Sequence, residues 1–324
     1  MLRRLLSSVR RRTRPERSRG MLVPSRDKAG EPKISIRAVD HTYQNEVEAL
    51  QDITLNVHPG EFLCLLGPSG CGKSTLLYTL AGAFKPSGGD IRIDGNRIDG
   101  PSPDRLLMFQ EPALFPWLNV EQNLLFALAG CKHLTRKTRR ERAQEFLDLV
   151  NLTGFEKAMP HELSGGMKMR VSLARALAMN PSVLLMDEPF APLDAETRQR
   201  MHDLLQRLWE EYRKTIVFVT HNVREAVVLA DRIVVMAARP GRVLWDLEVR
   251  LPRPRDPDDE MVVELSRRIR SAIKQAEATL PGRHPAHTPV PELTPEVADE
   301  EVADRSRSAP DLPAGSAEPV GTHG

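Results

Sequence analysis

The chain has 324 residues, and its 46 basic and 44 acidic residues give a formal net charge of +2; that length allows one large domain or two modest ones, and the balance excludes a whole-molecule pull toward nucleic acid or anionic lipid. The richest apolar runs, Leu124 to Ala129 and Ile233 to Ala238, fall far short of the about 18 residues that a membrane-spanning helix needs. Three cysteines, Cys64, Cys71 and Cys131, form neither a CxxC pair nor an even framework, which argues against disulfides and zinc and favours a reducing compartment.

Residues 1–20 hold eight arginines and one acid, Glu16, with Met1, Leu2, Leu5, Leu6 and Val9 near helical spacing. Residues 1–32 read as a disordered basic leader, with 1–20 read also as sequence ahead of a start at Met21; for 1–20 a transit peptide or a basic membrane-surface helix is the alternative. The folded region is predicted over 33–280. Within it Ile53, Leu55 and Val57 alternate, as do Ile91 and Ile93, a pattern of half-buried strands in a small antiparallel sheet.

The segments 61–66 (EFLCLL), 183–187 (VLLMD) and 215–220 (TIVFVT) are short, nearly continuous apolar runs, suited to strands buried on both faces of a parallel sheet. Met201, Leu204, Leu205, Leu208 and Tyr212 make one apolar stripe, predicting a helix over 195–214. Strand–helix alternation places the chain in the α/β class.

After EFLCLL come Gly67, Pro68, Ser69, Gly70, Cys71, Gly72, Lys73, Ser74 and Thr75. They fit the G-x-x-x-x-G-K-[ST] phosphate loop, between the strand and the helix that this motif requires. The glycines let backbone wrap phosphate oxygens, and the helix start offers free N–H groups. Lys73 supplies a cation for the β- and γ-phosphates, and Ser74 a hydroxyl for Mg²⁺. Cys71 reads as a small spacer, with no base nearby, although a helix N-terminus would lower its pKa.

The strand over 183–187 ends in Asp187, followed by Glu188. Asp187 then stands at the carboxyl end of the sheet, where α/β proteins bind ligands, as a Mg²⁺ ligand. Glu188 is placed to polarise a water attacking the γ-phosphate. Lys132, Arg136, Lys137, Arg139, Arg140 and Arg142 form a basic run on a predicted helix, read as a solvated face. Residues 281–324, with eight prolines, eight acids and three arginines, read as a disordered acidic tail.

A phosphate loop and an acidic strand define a P-loop NTPase and no more. The discriminating segment is Leu163-Ser164-Gly165-Gly166-Met167, ahead of a helical run from Lys168 to Ala178. It resembles the signature motif of ATP-binding-cassette (ABC) ATPases, with Met167 where that family usually has glutamine. Physically it is a second anion site: Ser164 caps a helix whose first turn is glycine.

The resemblance covers about residues 34–255. It implies a P-loop core with a parallel sheet, a small antiparallel β subdomain and an α-helical subdomain over about 108–178. It implies that Ser164, Gly165 and Gly166 meet the ATP held by a second subunit's phosphate loop, and that two ATPs are sandwiched in a dimer of cassettes, read here as a homodimer. By the same resemblance Gln110 in Met108-Phe-Gln-Glu-Pro112 senses Mg²⁺ and the attacking water. His221 in Thr220-His-Asn222 contacts the γ-phosphate, Asp194 works across the dimer, and Tyr43 stacks on adenine. A buried core tyrosine is the rival reading at that last position.

The segment from Phe109 to Val120 (FQEPALFPWLNV) and the residues Ala238 to Val243 (ARPGRV) look like ATPase subunits of nitrate, sulfonate and taurine importers. That resemblance implies an integral-membrane permease as partner and a solute-binding protein acting indirectly. It implies no nucleic acid, and a place on the cytoplasmic face of the inner membrane. An exporter subunit and a soluble, non-transport ABC ATPase are the alternatives. Leu114, Phe115, Trp117 and Leu118 read equally as an exposed docking patch or as core of the helical subdomain.

Overall fold

The computed structural model describes residues 22–24, 30–44 and 46–279, all within a unit spanning 1–291. Of the leader over 1–32, residues 1–21 and 25–29 lie outside the described residues, as does the tail over 281–324.

In chain order, β1 (Leu22–Pro24), β2 (Ile34–Thr42) and β3 (Glu48–Val57) precede β4 (Phe62–Leu66) and helix α1 (Lys73–Ala81). Next come β5 (Gly88–Ile93), β6 (Asn96–Arg97) and β7 (Arg105–Met108). Three helices follow: α2 (Val120–Leu128), α3 (Arg136–Leu149) and α4 (Gly165–Ala178). The chain then returns through β8 (Val183–Asp187), α5 (Ala195–Tyr212), β9 (Thr215–Thr220), α6 (Val223–Leu229), β10 (Arg232–Ala237), β11 (Arg242–Val249) and α7 (Glu260–Thr279).

These elements build two sheets. The larger has the order β1-β11-β10-β4-β9-β8-β7. From β10 to β7 every pairing is parallel, while β11 and β1 extend that edge antiparallel. The parallel sheet expected from the apolar runs is present and also carries an antiparallel flank. β1 falls inside the segment read as leader: its three residues carry no alternation to read, and they pair along β11, Leu22 opposite Val249. The smaller sheet, β3-β2-β5-β6, is antiparallel, as the alternation of Ile53, Leu55 and Val57 predicts.

The central strands bury both faces because helices cover each side. Leu63 and Leu65 of β4, Val217 and Val219 of β9 and Leu185 of β8 face one cluster with Leu76, Leu77 and Leu80 of α1. Ile34, Ile36 and Ile53 of the small sheet join that same cluster. On the other face Phe62, Phe218 and Phe190 pack in sequence, at 6.0 and 5.7 Å between rings, and Trp209 of α5 closes on Phe62. The α5 stripe is buried at Met201, Leu204, Leu205 and Leu208. Tyr212, the last residue before Arg213 turns left-handed at φ 47° and ends the helix, is half-buried.

In this register the carboxyl ends of four strands stand side by side: Leu66 opposite Thr220, Asp187 opposite Val219, and Met108 opposite Met186. The loops that lead into Lys73 and carry Gln110, Glu188 and His221 leave the sheet at that edge.

Candidate active site

The loop between β4 and α1 is fixed from below. Gly72 sits at φ 86°, and a Cβ there would lie 2.7 Å from the Ala49 carbonyl and 2.7 Å from a Leu50 methyl. Only glycine fits both the turn and that approach. Lys73 is buried, and its ammonium donates to the Gly67 and Pro68 carbonyls, each at 2.8 Å. Pro68, Ser69 and Gly70 form the exposed rim. Cys71 is fully buried, and that burial raises its thiol pKa against the opposing pull of Lys73. The spacer reading of Cys71 thus has a physical cause: desolvation outweighs the lysine and the helix start.

Ser74 donates its hydroxyl hydrogen to Asp187 at 2.9 Å. Asp187 is buried, 7% exposed, at the end of β8. One helical turn beyond Ser74, Tyr78 faces the same carboxylate. Burial, then a hydrogen bond to Asp187 and its charge, push the tyrosine pKa up to about 12. The Tyr78 ring also packs against Phe84 and Phe109, at 5.4 and 6.3 Å. Sequence reasoning missed this residue. The available signal was its i, i+4 spacing from Ser74, which puts both on one helix face.

Glu188 follows in a left-handed turn, φ 43°, with its N–H donating to the Val219 carbonyl at 3.0 Å. That anchor on β9 brings its carboxylate to His221, whose Nδ1 lies 2.9 Å from Glu188 Oε2. The histidine side chain is 62% exposed and the glutamate 23%, so the pair faces open space. Ser74, Asp187, Glu188 and His221 are therefore brought together at one end of the sheet.

Hard oxygen donors are what Mg²⁺ selects, usually one or two carboxylates completed by phosphates and water. The Ser74 hydroxyl beside the buried Asp187 carboxylate fits that requirement. Among the described residues no cluster of three or more His, Cys, Asp or Glu competes as a metal cage. Gln110 lies two residues past β7, level with Glu188 in the parallel register. It is exposed and makes no hydrogen bond among the described residues.

Tyr43 is 37% exposed, not core. Its hydroxyl shares a 2.8 Å hydrogen bond with Thr75 at the end of the phosphate loop, while its ring meets His41 and Phe84 edge-on.

The signature segment forms a separate constellation. Ser164 caps α4, accepting the Met167 N–H at 3.3 Å. Asp194 caps α5, accepting the Thr197 N–H at 2.9 Å. The Thr197 N–H and hydroxyl hold the Asp194 pKa below its ordinary value. Ser164, Gly165 and Asp194 are exposed. Gly165 has room for a side chain, but a Cβ on Gly166 would lie 2.4 Å from the Thr197 methyl. Gly166 is thus demanded by the packing of α4 on α5, a reason that sequence reasoning did not supply. Among the described residues no hydrogen bond joins Ser164 or Asp194 to the phosphate loop.

The two open readings of the aromatic segment separate. Trp117 is 70% and Phe126 59% exposed; Phe115 lies between them, 4.6 Å from the Phe126 ring and 5.7 Å from Trp117. Beneath, Arg175 stacks on Phe115 and donates to the Ala113 carbonyl at 2.8 Å. Trp117 is therefore surface, together with Phe126, while Leu114, Phe115 and Leu118 are half-buried. In the basic run, Lys132, Arg136, Lys137 and Arg140 are exposed, while Arg139 and Arg142 bond the Cys131 and Ala178 carbonyls.

Comparison with known proteins places this geometry. A family model described as "ABC transporter" matches residues 50–191. The aliphatic sulfonates import ATP-binding protein SsuB of Bacillus cereus is 42% identical over 239 residues, 73% of this chain and 94% of the relative. The nitrate import ATP-binding protein NrtD of a Synechocystis species is 47% identical over 211 residues, 64% of this chain and 78% of the relative. Among solved structures, an ATP-binding cassette in a dimeric post-hydrolysis state with ADP and Pi superposes with TM-score 0.60 at 32% identity. That match covers 68% of this chain and all of the cassette.

Proposed function

This chain belongs to the ABC transporter ATP-binding family, and on that premise we propose that it drives solute import by binding and hydrolysing ATP between two copies of itself. The observation that carries the reading is the joined set at the sheet edge: Ser74 on Asp187, and Glu188 on His221, each at 2.9 Å, beside a phosphate loop.

The backbone of Gly67 to Thr75 cradles the ATP phosphates, Lys73 contributes charge to the β- and γ-phosphates, and Tyr43 stacks on adenine. Ser74 and Asp187 would hold Mg²⁺, and Gln110 would reach toward it and the attacking water. Bound there, the ion would offset the negative charge on the phosphoryl group. Glu188 orients water for in-line attack on the γ-phosphate. His221 holds Glu188 in place and contacts the γ-phosphate.

Ser164, Gly165 and Gly166 of one copy close over the ATP of the other, next to Asp194. Their free N–H groups and helix start suit an anion. Met167 removes one polar contact of that closure and leaves the serine and glycines. A permease takes up the motion at the patch of Phe115, Trp117 and Phe126; an exposed aromatic cluster of this kind marks an interaction site. No helix among the described residues is long and apolar enough to cross a membrane; by analogy with the import ATP-binding relatives we place the chain on the cytoplasmic face of the inner membrane through that permease. A solute-binding protein delivers the cargo, an anion of the nitrate or sulfonate type by analogy with the relatives.

Replacing Glu188 with Gln should cut ATP turnover about 100-fold or more while ATP still binds. Turnover at the wild-type rate contradicts the assignment of Glu188. Co-purification with a soluble complex and no membrane subunit contradicts the transport reading.

A further inference from the structure

Behind the Glu188–His221 pair lies a buried polar group that the reaction as described does not use. His202, on α5, is 5% exposed, and Glu225, on α6, is 6% exposed. His202 Nε2 lies 2.8 Å from Glu225 Oε1. The other carboxylate oxygen accepts from the Thr220 hydroxyl, the residue directly before His221. The Thr220 hydroxyl in turn accepts the N–H of Asn222, the residue directly after His221, at 3.0 Å. Asn222 also caps α6 by accepting the Arg224 and Glu225 N–H groups. His221 is thus the exposed tip of a loop whose two neighbours are tied to one buried carboxylate.

A carboxylate needs donors to be stable in the interior. Thr220 supplies one from the loop, and His202 supplies the other from a different element. His202 Nδ1 is buried with no hydrogen-bond partner, and a ring proton on Nε2 is directed at Glu225. The same helix holds the segment between Glu188 and Asp194: Arg198 donates to the Phe190 and Leu193 carbonyls, and the His202 ring packs on Phe190 at 5.6 Å. α5 therefore touches both sides of the pair, the turn after Glu188 through Arg198 and the loop around His221 through His202.

We propose that His202 is a positioning residue for hydrolysis: through Glu225 and Thr220 it fixes the 220–222 loop so that His221 stays on Glu188, and it ties that loop to the helix capped by Asp194. The inference rests on the hydrolytic reading above, and its test separates the two.

The test is steady-state ATP hydrolysis by the full chain, with nucleotide binding and thermal melting measured on the same samples. His202→Leu should lower kcat about tenfold with KM for ATP within about twofold of wild type. His202→Gln keeps an N–H donor at that reach and should restore most of the rate. Thr220→Val removes only the hydroxyl and should reproduce the His202→Leu split; it carries the test if His202→Leu fails to fold. A His202→Leu protein that turns over like wild type overturns the proposal. So does a His202→Gln protein as slow as His202→Leu, or a loss confined to melting temperature with kcat unchanged. A wild-type chain that hydrolyses no ATP would instead defeat the underlying reading.

Discussion

Lys73, Ser74 and Asp187 find their partners inside one chain, whereas Ser164 and Asp194 bond only the first turns of their own helices and otherwise face outward. The first set is clamped by the sheet: four strand ends share one register, and a buried carboxylate accepts from a neighbouring hydroxyl. The second set is held by capping alone. A set of caps left facing outward, in a chain whose other set is already joined, is what half of a composite site is expected to look like before its halves meet. The difference teaches that half of the proposed catalytic apparatus depends on contacts this chain does not make with itself.

Five substitutions break or sharpen that comparison. The largest effect is expected from Asp187→Asn, which keeps the shape but weakens the seat for Mg²⁺. It should lower Mg²⁺-dependent turnover about 100-fold, measured by phosphate release; turnover within twofold of wild type would remove Asp187 from the site. Next, Gly166→Ala forces a methyl against Thr197 and should cost about 2 kcal/mol of stability in denaturant unfolding. Thr197→Ser, which deletes the opposing methyl, should recover most of that loss. An equal loss in the double variant would show that helix packing is not the reason for the glycine.

Ser164→Ala should cost about 1 kcal/mol through the lost cap. It should also slow turnover while leaving ATP affinity of the single chain unchanged; a large loss of that affinity would place Ser164 with the first set. The smallest effect concerns pH. The Asp194 pKa is lowered by the Thr197 N–H, so its contribution is present above the pKa of the unfolded chain and lost as pH falls through the folded value. Thermal melts of wild type and Asp194→Asn should therefore differ at neutral pH and converge in acid below the ordinary aspartate range. A gap that widens in acid would reverse the sign.

The contrast also explains what could be read without coordinates. β4, β8 and β9 are visible as apolar runs because both faces are buried, and the phosphate loop because its glycines and lysine recur at fixed spacing. Tyr78 was not, since a tyrosine in an apolar helix looks like core until the Asp187 carboxylate is found to raise its pKa. His202 was hidden for the same reason, as one polar residue beside the stripe of Met201, Leu204 and Leu205. Periodicity could not choose between patch and core for Phe115 and Trp117, because an exposed aromatic and a buried one have the same letters. β1 was missed because three residues carry no pattern and depend wholly on the edge of β11.

The central claim is that the two sets are completed by a second copy across ATP. The most direct measurement is the mass in solution of the Glu188→Gln protein, by light scattering, with and without ATP. The account predicts a monomer without nucleotide and a dimer holding two ATPs with it. A protein that stays monomeric in saturating ATP, or a dimer indifferent to ATP, would contradict it.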